Sequence, residues 1–354
     1  MRSRRRYGFA LVAVLAALLA VAAAGCGGGD EATDAAPPAE PAEPAPAEPP
    51  AEPSAEPPAE SAPPAETTEA LSGSIEVDGS STVGPLVQAA AETFQQENPD
   101  VKITVGISGT GGGFERFCAG ETDISNASRK IHDDDEAPLC ADNGVEYVEL
   151  QVAVDAITVV TNTENDFATC LTVDQLHTMW APEAEGTVTN WNQIDPSFPD
   201  EELTLSGPGT DSGTFDYFTD AINGEEGASR SDYDASEDDN VIVTAVEGAP
   251  GALGYFGYTY YEQNQDKLNA VEIDGGSGCV APSAETAQDG SYTPLSRPLF
   301  IYVKKESLAR PEVAAFVQYI LDDNAEITEA ALFIPPHEED LQTSKDTLAA
   351  ALGG

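Results

Sequence analysis

The chain has 354 residues, of which 63 are acidic and 15 basic, for a formal net charge of −48. An acidic field this strong repels phosphate backbones and anionic membrane surfaces, which excludes nucleic acid as a partner. The 41% of apolar residues suffice for a sizeable core, whereas three histidines and two methionines leave little material for a haem or a His-rich metal centre.

Residues 1–25 carry the pattern of a secretory signal. Arg2, Arg4, Arg5 and Arg6 precede an apolar run from Phe9 to Ala24 that is short for a membrane span. The run ends in Ala23-Ala24-Gly25-Cys26, small residues immediately before a cysteine. This spacing predicts a bacterial lipoprotein, cut before Cys26 and acylated there with diacylglycerol and palmitate-type chains. Residues 26–72 continue as a tether rich in Pro, Ala and Glu, with no apolar face to bury. Proline extends such a segment and its glutamates repel one another, so it reaches on the order of 100 Å in polyproline II. The expected location is extracytoplasmic, anchored to the cell membrane, and periplasmic where an outer membrane exists.

The leading 72 residues hold four of the basic and eleven of the acidic side chains, which leaves a net −41 on the rest. The acidity therefore belongs to the folded part. Four further cysteines, Cys118, Cys140, Cys170 and Cys279, suggest two disulfides in an oxidising compartment. Three connectivities are possible, and spacing favours Cys118–Cys140 with Cys170–Cys279. No CxxC pair is present, so neither zinc nor a redox dithiol is expected.

Strand-like and helix-like segments alternate along the remainder. Ser74–Asp78 reads as a strand and Pro85–Gln96 as a helix with Leu86, Ala90 and Phe94 on one face. Val101–Ile107 is the next strand, Phe114–Ala119 a short helix, and Val145–Thr161 a long β-rich run. Phe215–Ile222 reads as a helix, and Val241–Val246 and Leu299–Val303 as strands. Pro311–Leu321 and Thr343–Leu352 are the last helices. This alternation predicts an α/β fold with largely parallel sheets, and the length favours two lobes. The expected partition is 73–158 with 298–354 as one lobe and 159–297 as the other. The chain would cross near Asp155–Asn162 and return near Leu295–Tyr302.

Three Gly- and hydroxyl-rich turns lead from strands into helices: Asp78–Pro85, Ser108–Gly113 and Gly207–Thr214. Each combines glycines that permit close approach, Ser or Thr hydroxyls, and the positive end of a helix dipole. Asp123–Arg129 adds a guanidinium that matches the oxygens of a tetrahedral oxyanion. Together these features predict a cage for a small oxyanion. Neither a serine-hydrolase elbow nor a P-loop lysine nor an EF-hand pattern occurs. Asp211-Ser212-Gly213-Thr214 has no second copy to make an aspartic-protease dyad. No catalytic residue, cofactor or metal is expected, and the chain is read as a binder, not an enzyme.

Ser-Ser-Thr-Val-Gly-Pro, Ser-Gly-Thr-Gly-Gly-Gly-Phe, Asp-Ile-Ser-Asn-Ala-Ser-Arg, Gly-Thr-Asp-Ser-Gly-Thr-Phe and Gly-Ala-Leu-Gly-Tyr-Phe-Gly-Tyr follow in that order. From about Gly73 onward the chain thereby resembles the phosphate-binding proteins of the bacterial Pst importer, the PstS family, and its SphX-like branch in particular. The resemblance implies a two-lobed periplasmic-binding-protein fold of type II, each lobe a central, mainly parallel sheet flanked by helices. It also implies that inorganic phosphate is bound in the cleft and delivered to the permease and ATPase subunits of an ABC importer. Another oxyanion, sulfate or molybdate, is the alternative ligand. By motif, the phosphate contacts fall on Ser81, Thr82 and Val83, on Thr110 and Gly111, on Ser128 and Arg129, and on Asp211, Ser212, Gly213 and Thr214. Two positions depart from the pattern: well-known members have a carboxylate at Ser128 and an arginine at Pro208. Arg129 is the expected replacement for that charge, and Asp211 for that carboxylate, with Asp123 and Asp155 as further candidates. A carboxylate matters because hydrogen phosphate donates a proton to it, whereas sulfate has none to donate.

Overall fold

A computed structural model describes residues 70–353. The expected leader, Cys26 and nearly all of the tether lie outside the described residues. Among the described residues, no helix is long and apolar enough to cross a membrane.

The first lobe opens with β1 (Gly73–Gly79), α1 (Val83–Glu97), β2 (Val101–Val105), α2 (Gly109–Cys118), β3 (Ile124–Ala127) and α3 (Glu136–Asp142). Next comes β4 (Tyr147–Asn162), a single strand of 16 residues. The second lobe contains β5 (Cys170–Thr172), α4 (Val173–Trp180), β6 (Thr204–Gly207), α5 (Gly213–Asn223) and β7 (Asp234–Ala235). It continues through α6 (Asp239–Glu247), β8 (Ala252–Gly257), α7 (Tyr258–Glu262), β9 (Leu268–Ala270), β10 (Glu272–Asp274), β11 (Cys279–Val280) and α8 (Ala284–Gln288). The chain then returns through β12 (Ser296–Lys304) and ends with α9 (Pro311–Asp322), α10 (Asn324–Ala330) and α11 (Glu338–Leu352).

Strand β4 belongs to both sheets. Its first part pairs with β12, from Ala156 opposite Ser296 to Tyr147 opposite Lys304. Its second part pairs with β8, Ile157 opposite Gly257 through Thr161 opposite Leu253, and with β9 on the other edge. The strand order is β2-β1-β3-β12-β4-β8-β6-β7. Pairing is parallel among the outer strands of each lobe and antiparallel around β12 and β4, so the sheets are mixed. Strand β4 changes partner between Ala156, which faces Ser296, and Ile157, which faces Gly257.

Each lobe has its own core. In the first, Ile75, Val77, Leu150, Val152, Ile301 and Val303 alternate onto the sheet face that meets Leu86, Phe94, Val313 and Phe316 of α1 and α9. This is period-2 patterning against period-3.6 patterning. The opposite face carries Phe114 and Phe117 of α2 against Phe300 and Tyr302. In the second lobe, Trp180, Phe218 and Tyr255 pack together, with Phe218 stacked on Tyr255 at 3.7 Å. The disulfides are Cys118–Cys140 and Cys170–Cys279, the pairing favoured by spacing.

One expected strand is a helix. Val241–Val246 lies inside α6, because Asp238 accepts the Asn240 N–H as a cap and Ile242, Val243 and Val246 fall on one helical face. The β-branched run had suggested a strand, but burial on one side only at helical spacing outweighs that propensity. Similarly, the expected loop Ser108–Gly113 is helical from Gly109 onward.

Candidate functional site

The turns lie where the sequence placed them, at the carboxyl ends of β1, β2 and β6, and the short loop after β3 joins them. In open α/β sheets this is the end at which ligands are held. Gly213, at the start of α5 in the second lobe, packs directly against Thr82 of the first: a methyl group at Gly213 would lie 2.9 Å from Thr82 Oγ1 and 3.2 Å from its backbone. The two lobes therefore meet across the first and third turns. Between them lies a cavity of about 40 Å³ lined by Ser80, Ser81, Thr82, Gly109, Thr110, Ser128, Asp216, Tyr217, Asp220, Glu226 and Arg297. This is room for roughly three water-sized groups, the scale of a tetrahedral ion rather than an organic anion.

The hydroxyl wall is held in place by its own hydrogen bonds. Ser80 Oγ accepts the N–H groups of Thr82 (3.2 Å) and Val83 (3.3 Å), so it caps α1. Thr110 Oγ1 accepts the Ser128 N–H at 3.2 Å and lies 3.0 Å from Ser128 Oγ. Behind them the buried Asp78 accepts from Gly79 N–H and Ser108 Oγ, at 2.7 and 2.8 Å, and pairs with Arg116. This carboxylate ties the first turn to the second.

The cation in the cleft is Arg297, at the start of β12. Its Nη2 donates to Thr82 Oγ1 at 2.9 Å. Nε and Nη2 both lie 3.3 Å from Asp155 Oδ2 on β4. The guanidinium also stacks on Tyr217 of α5, with Cζ 3.6 Å from the ring centroid. One side chain thus touches the crossing strand, the first turn and the third helix. Burial raises the Asp155 carboxyl above its ordinary range, although Arg297 pulls it back. Across the cavity, Asp216 Oδ2 accepts from Ser81 Oγ at 3.3 Å. Burial raises this carboxyl too, against the lowering influence of Ser81 and Arg297.

Of the residues named from sequence, Ser81, Thr82, Thr110 and Ser128 line the cavity and the others do not. Arg129 forks instead onto Glu136, at 2.8 and 2.7 Å, and lies over the Phe114 ring. Burial pushes Glu136 up, but the hydrogen bonds from Arg129 and from the His132 N–H outweigh it and leave the carboxyl low. The guanidinium that lines the cavity is that of Arg297, and Arg129 is turned onto Glu136. Asp211 is exposed, its N–H near Glu237, so it does not face the cavity. Asp123 is engaged by Ser307 and Arg310, and Asp155 by Arg297. The carboxylate beside the hydroxyl wall is Asp216. Val83 is fully buried in the core. Gly111 faces Arg129 and Glu136. Ser212 caps α5 by accepting the Thr214 N–H at 3.2 Å.

Among the described residues, two groupings of side chains have metal-ligand proximity. One uses Cys170 and Cys279, which form a disulfide; the other uses Glu136, which is held by Arg129. Neither offers a free ligand set.

A two-lobed fold closed over a small, hydroxyl-lined cleft defines a solute-binding protein, and residues 64–324 match the model of the PBP superfamily domain. The chain belongs to the PstS family of phosphate-binding proteins, on its SphX-like branch. It is 48% identical to protein SphX of a Synechocystis strain over 274 residues, 77% of this chain and 81% of that one. It is 38% identical to the phosphate-binding protein PstS of Staphylococcus saprophyticus, over 79% of this chain and 86% of that one. The crystal structure of a possible phosphate-binding protein from Planctomyces limnophilus superposes with a TM-score of 0.76 at 48% identity, covering 80% of this chain and 99% of that chain. The PstS relatives are named as phosphate-binding proteins.

Proposed function

We propose that the chain is an extracytoplasmic receptor that binds inorganic phosphate between its lobes and hands it to the permease and ATPase subunits of an ABC importer. The observation that carries this reading is the convergence of Ser81, Thr82, Thr110 and Ser128 with Arg297 on one cavity of ionic size. Its named relatives, phosphate-binding proteins, supply the ligand. Hydroxyl donors and a guanidinium suit a tetrahedral oxyanion, and desolvation in a closed cleft strengthens each contact. The contacts are assigned to Ser81, Thr82, Thr110, Ser128 and Arg297. Ser212, Gly213 and Thr214 stand at the α5 N-terminus, where they close on the first turn.

Residues 73–158 with 298–354 form one rigid lobe and 159–297 the other, hinged where β4 and β12 cross. Closure about such a hinge commits the ligand. Cys26 carries the lipid, and the Pro/Ala/Glu tether gives the domain its reach from the membrane to the permease.

Calorimetric titration of the purified chain, stripped of co-purified anion by partial unfolding and dialysis, tests the reading. Phosphate is expected to bind tightly, with no comparable signal from sulfate or molybdate. A chain that prefers either of those ions, or binds none of the three, does not have this function.

A further inference from the structure

Besides β4 and β12, a third connection joins the lobes: the segment 332–335 between α10 and α11. Strand β12 pairs along one edge of β4, and β8 takes the other edge only from Ile157 onward. Before that point C-terminal residues occupy the second edge. Ser344 Oγ accepts the Gln151 N–H at 2.9 Å, and Ile334 exchanges both backbone hydrogen bonds with Val154, at 2.8 and 3.1 Å. From this edge the segment reaches the second lobe. Leu332 O accepts from Thr259 Oγ1 of α7, and Pro335 O accepts from Gln288 Nε2 of α8 at 2.9 Å. Between these attachments the Ile334 side chain, 3% exposed, packs with Val154 and Ala156 of β4, Tyr258 of α7 and Ala287 of α8. Leu332 is held at φ 60°, in the left-handed region that leucine seldom enters, and among the described residues it is the one non-glycine with positive φ. Such a conformation persists where the surroundings over-determine it, and here they come from both lobes.

Successive side chains of a strand point to opposite faces. Asp155 turns to Arg297 and the cleft, so Val154 and Ala156 turn away from the cleft and into this cluster. The cluster therefore stands behind the crossing strand. A rotation about β4 that parts Gly213 from Thr82 in front brings Tyr258 and Ala287 onto Ile334 behind. Closely packed side chains yield little to compression. Resting on the hinged reading above, we infer that Ile334 is a stop behind the hinge, which limits how far the lobes part and holds the phosphate-free chain near its closed arrangement. Ile334 does not line the cavity; it is a positioning residue that acts through the lobes. Phosphate is held by the closed arrangement, so its affinity follows the fraction of free chain already closed. Removing the Ile334 side chain opens a space for Tyr258 and Ala287 to enter. It also takes away contacts made while the lobes meet, which works in the same direction.

Calorimetric titration with inorganic phosphate, together with small-angle X-ray scattering of the full chain with and without phosphate, tests the stop. In Ile334→Ala, phosphate affinity is expected to fall about tenfold, as the closed fraction falls. Its phosphate-free form should be larger than the parent's and its saturated form the same size, so phosphate should contract it more. Ile334→Val, which keeps the β-branch, should lie between. Gln288→Ala and Thr259→Val leave the cluster filled and cut its attachments to the second lobe. Each should weaken phosphate by about threefold and enlarge the contraction, and they decide the matter if Ile334→Ala fails to fold. An Ile334→Ala chain that loses stability yet keeps the parent's affinity and phosphate-free size overturns the inference, because the side chain is then core packing alone. Attachment variants that leave both readouts at parent values also overturn it. A parent that binds no phosphate refutes the phosphate reading instead, and the sizes of the phosphate-free variants still decide the stop.

Discussion

Replacing Arg297 with glutamine should be among the most costly single changes in the cleft, and its cost follows from what the guanidinium touches. Asp155 is only 6% exposed. Without its partner the carboxylate either remains ionised and unpaired, at about 3–5 kcal/mol, or takes up a proton. Loss of the stack on Tyr217 costs about 1–2 kcal/mol more, and loss of the Thr82 hydrogen bond about 1 kcal/mol. These contributions share one side chain and overlap, so the expected loss is about 4 kcal/mol near neutral pH rather than their sum. The pH dependence has a definite sign. Burial already holds the Asp155 carboxyl high while Arg297 pulls it down, so removing Arg297 raises it further. A carboxyl whose folded pKa exceeds its unfolded value stabilises the fold fully below the unfolded pKa and loses that contribution as pH rises through the folded pKa. The deficit of Arg297→Gln should therefore grow from the carboxylate range upward and shrink in acid. Urea unfolding at several pH values measures it, provided the denaturant slope is unchanged. The double variant Asp155→Asn, Arg297→Gln should recover at least about 2 kcal/mol, because no unpaired charge remains. A single variant as stable as the parent, or a double variant no better than the single, refutes the reasoning.

Three further outcomes are expected. Gly213→Ala places a methyl group 2.9 Å from Thr82 Oγ1 and 3.2 Å from its backbone, so the lobes must part to admit it; phosphate affinity should drop about tenfold, or ~1.4 kcal/mol, with little change in melting temperature. Arg129→Met should leave phosphate affinity within about twofold while costing about 1 kcal/mol of stability through Glu136, and a large loss of affinity would return Arg129 to the site. Asp239, beside Asp238 and Glu237, has its carboxyl pushed up to about 6, chiefly by burial. Its contribution to stability is present below about pH 4 and lost as pH rises through about 6. Asp239→Asn should therefore be more stable than the parent by about 1 kcal/mol at neutral pH, allowing for partial exposure, and equal to it in acid; parallel stability curves across that range would contradict this.

The hydroxyl wall was legible in the sequence because its chemistry is local. Glycine, serine and threonine cluster where a strand gives way to a helix, and Ser81, Thr82, Thr110 and Ser128 lie at such junctions. The charge was not legible, because its position depends on long-range pairing. Arg297 sits between Ser296 and Pro298 in no motif, and it enters the cleft only because β12 runs beside β4. A signal was nonetheless present: basic residues are scarce, and this one falls within the stretch where the chain was expected to return between lobes. Arg129 misled because proximity in sequence to Ser128 does not fix direction, and Glu136, seven residues on, captures it first. Asp216 belongs to no motif in the sequence and lies in the first turn of α5. Its place opposite Ser81 appears only when the lobes are put together. The helical Val241–Val246 shows the remaining weakness: a β-branched run reads as a strand until the side that is buried is known.

The shared strand β4 also sets an order of assembly. The second sheet can be completed from residues close together in the chain, since β4, β6, β8 and β9 all end by Ala270. The first sheet cannot, because β12 must slot between β3 and β4 after some 130 intervening residues have been made. Until then the apolar edges of β3 and β4 remain unjoined, and loop closure over that span is slow. Nascent chains should therefore ripen from the middle outward, with the amino-terminal third waiting for the carboxyl-terminal strand. Truncation beyond Gly290 would leave the second lobe's strands in place but strip the first sheet of the strand that joins β3 to β4.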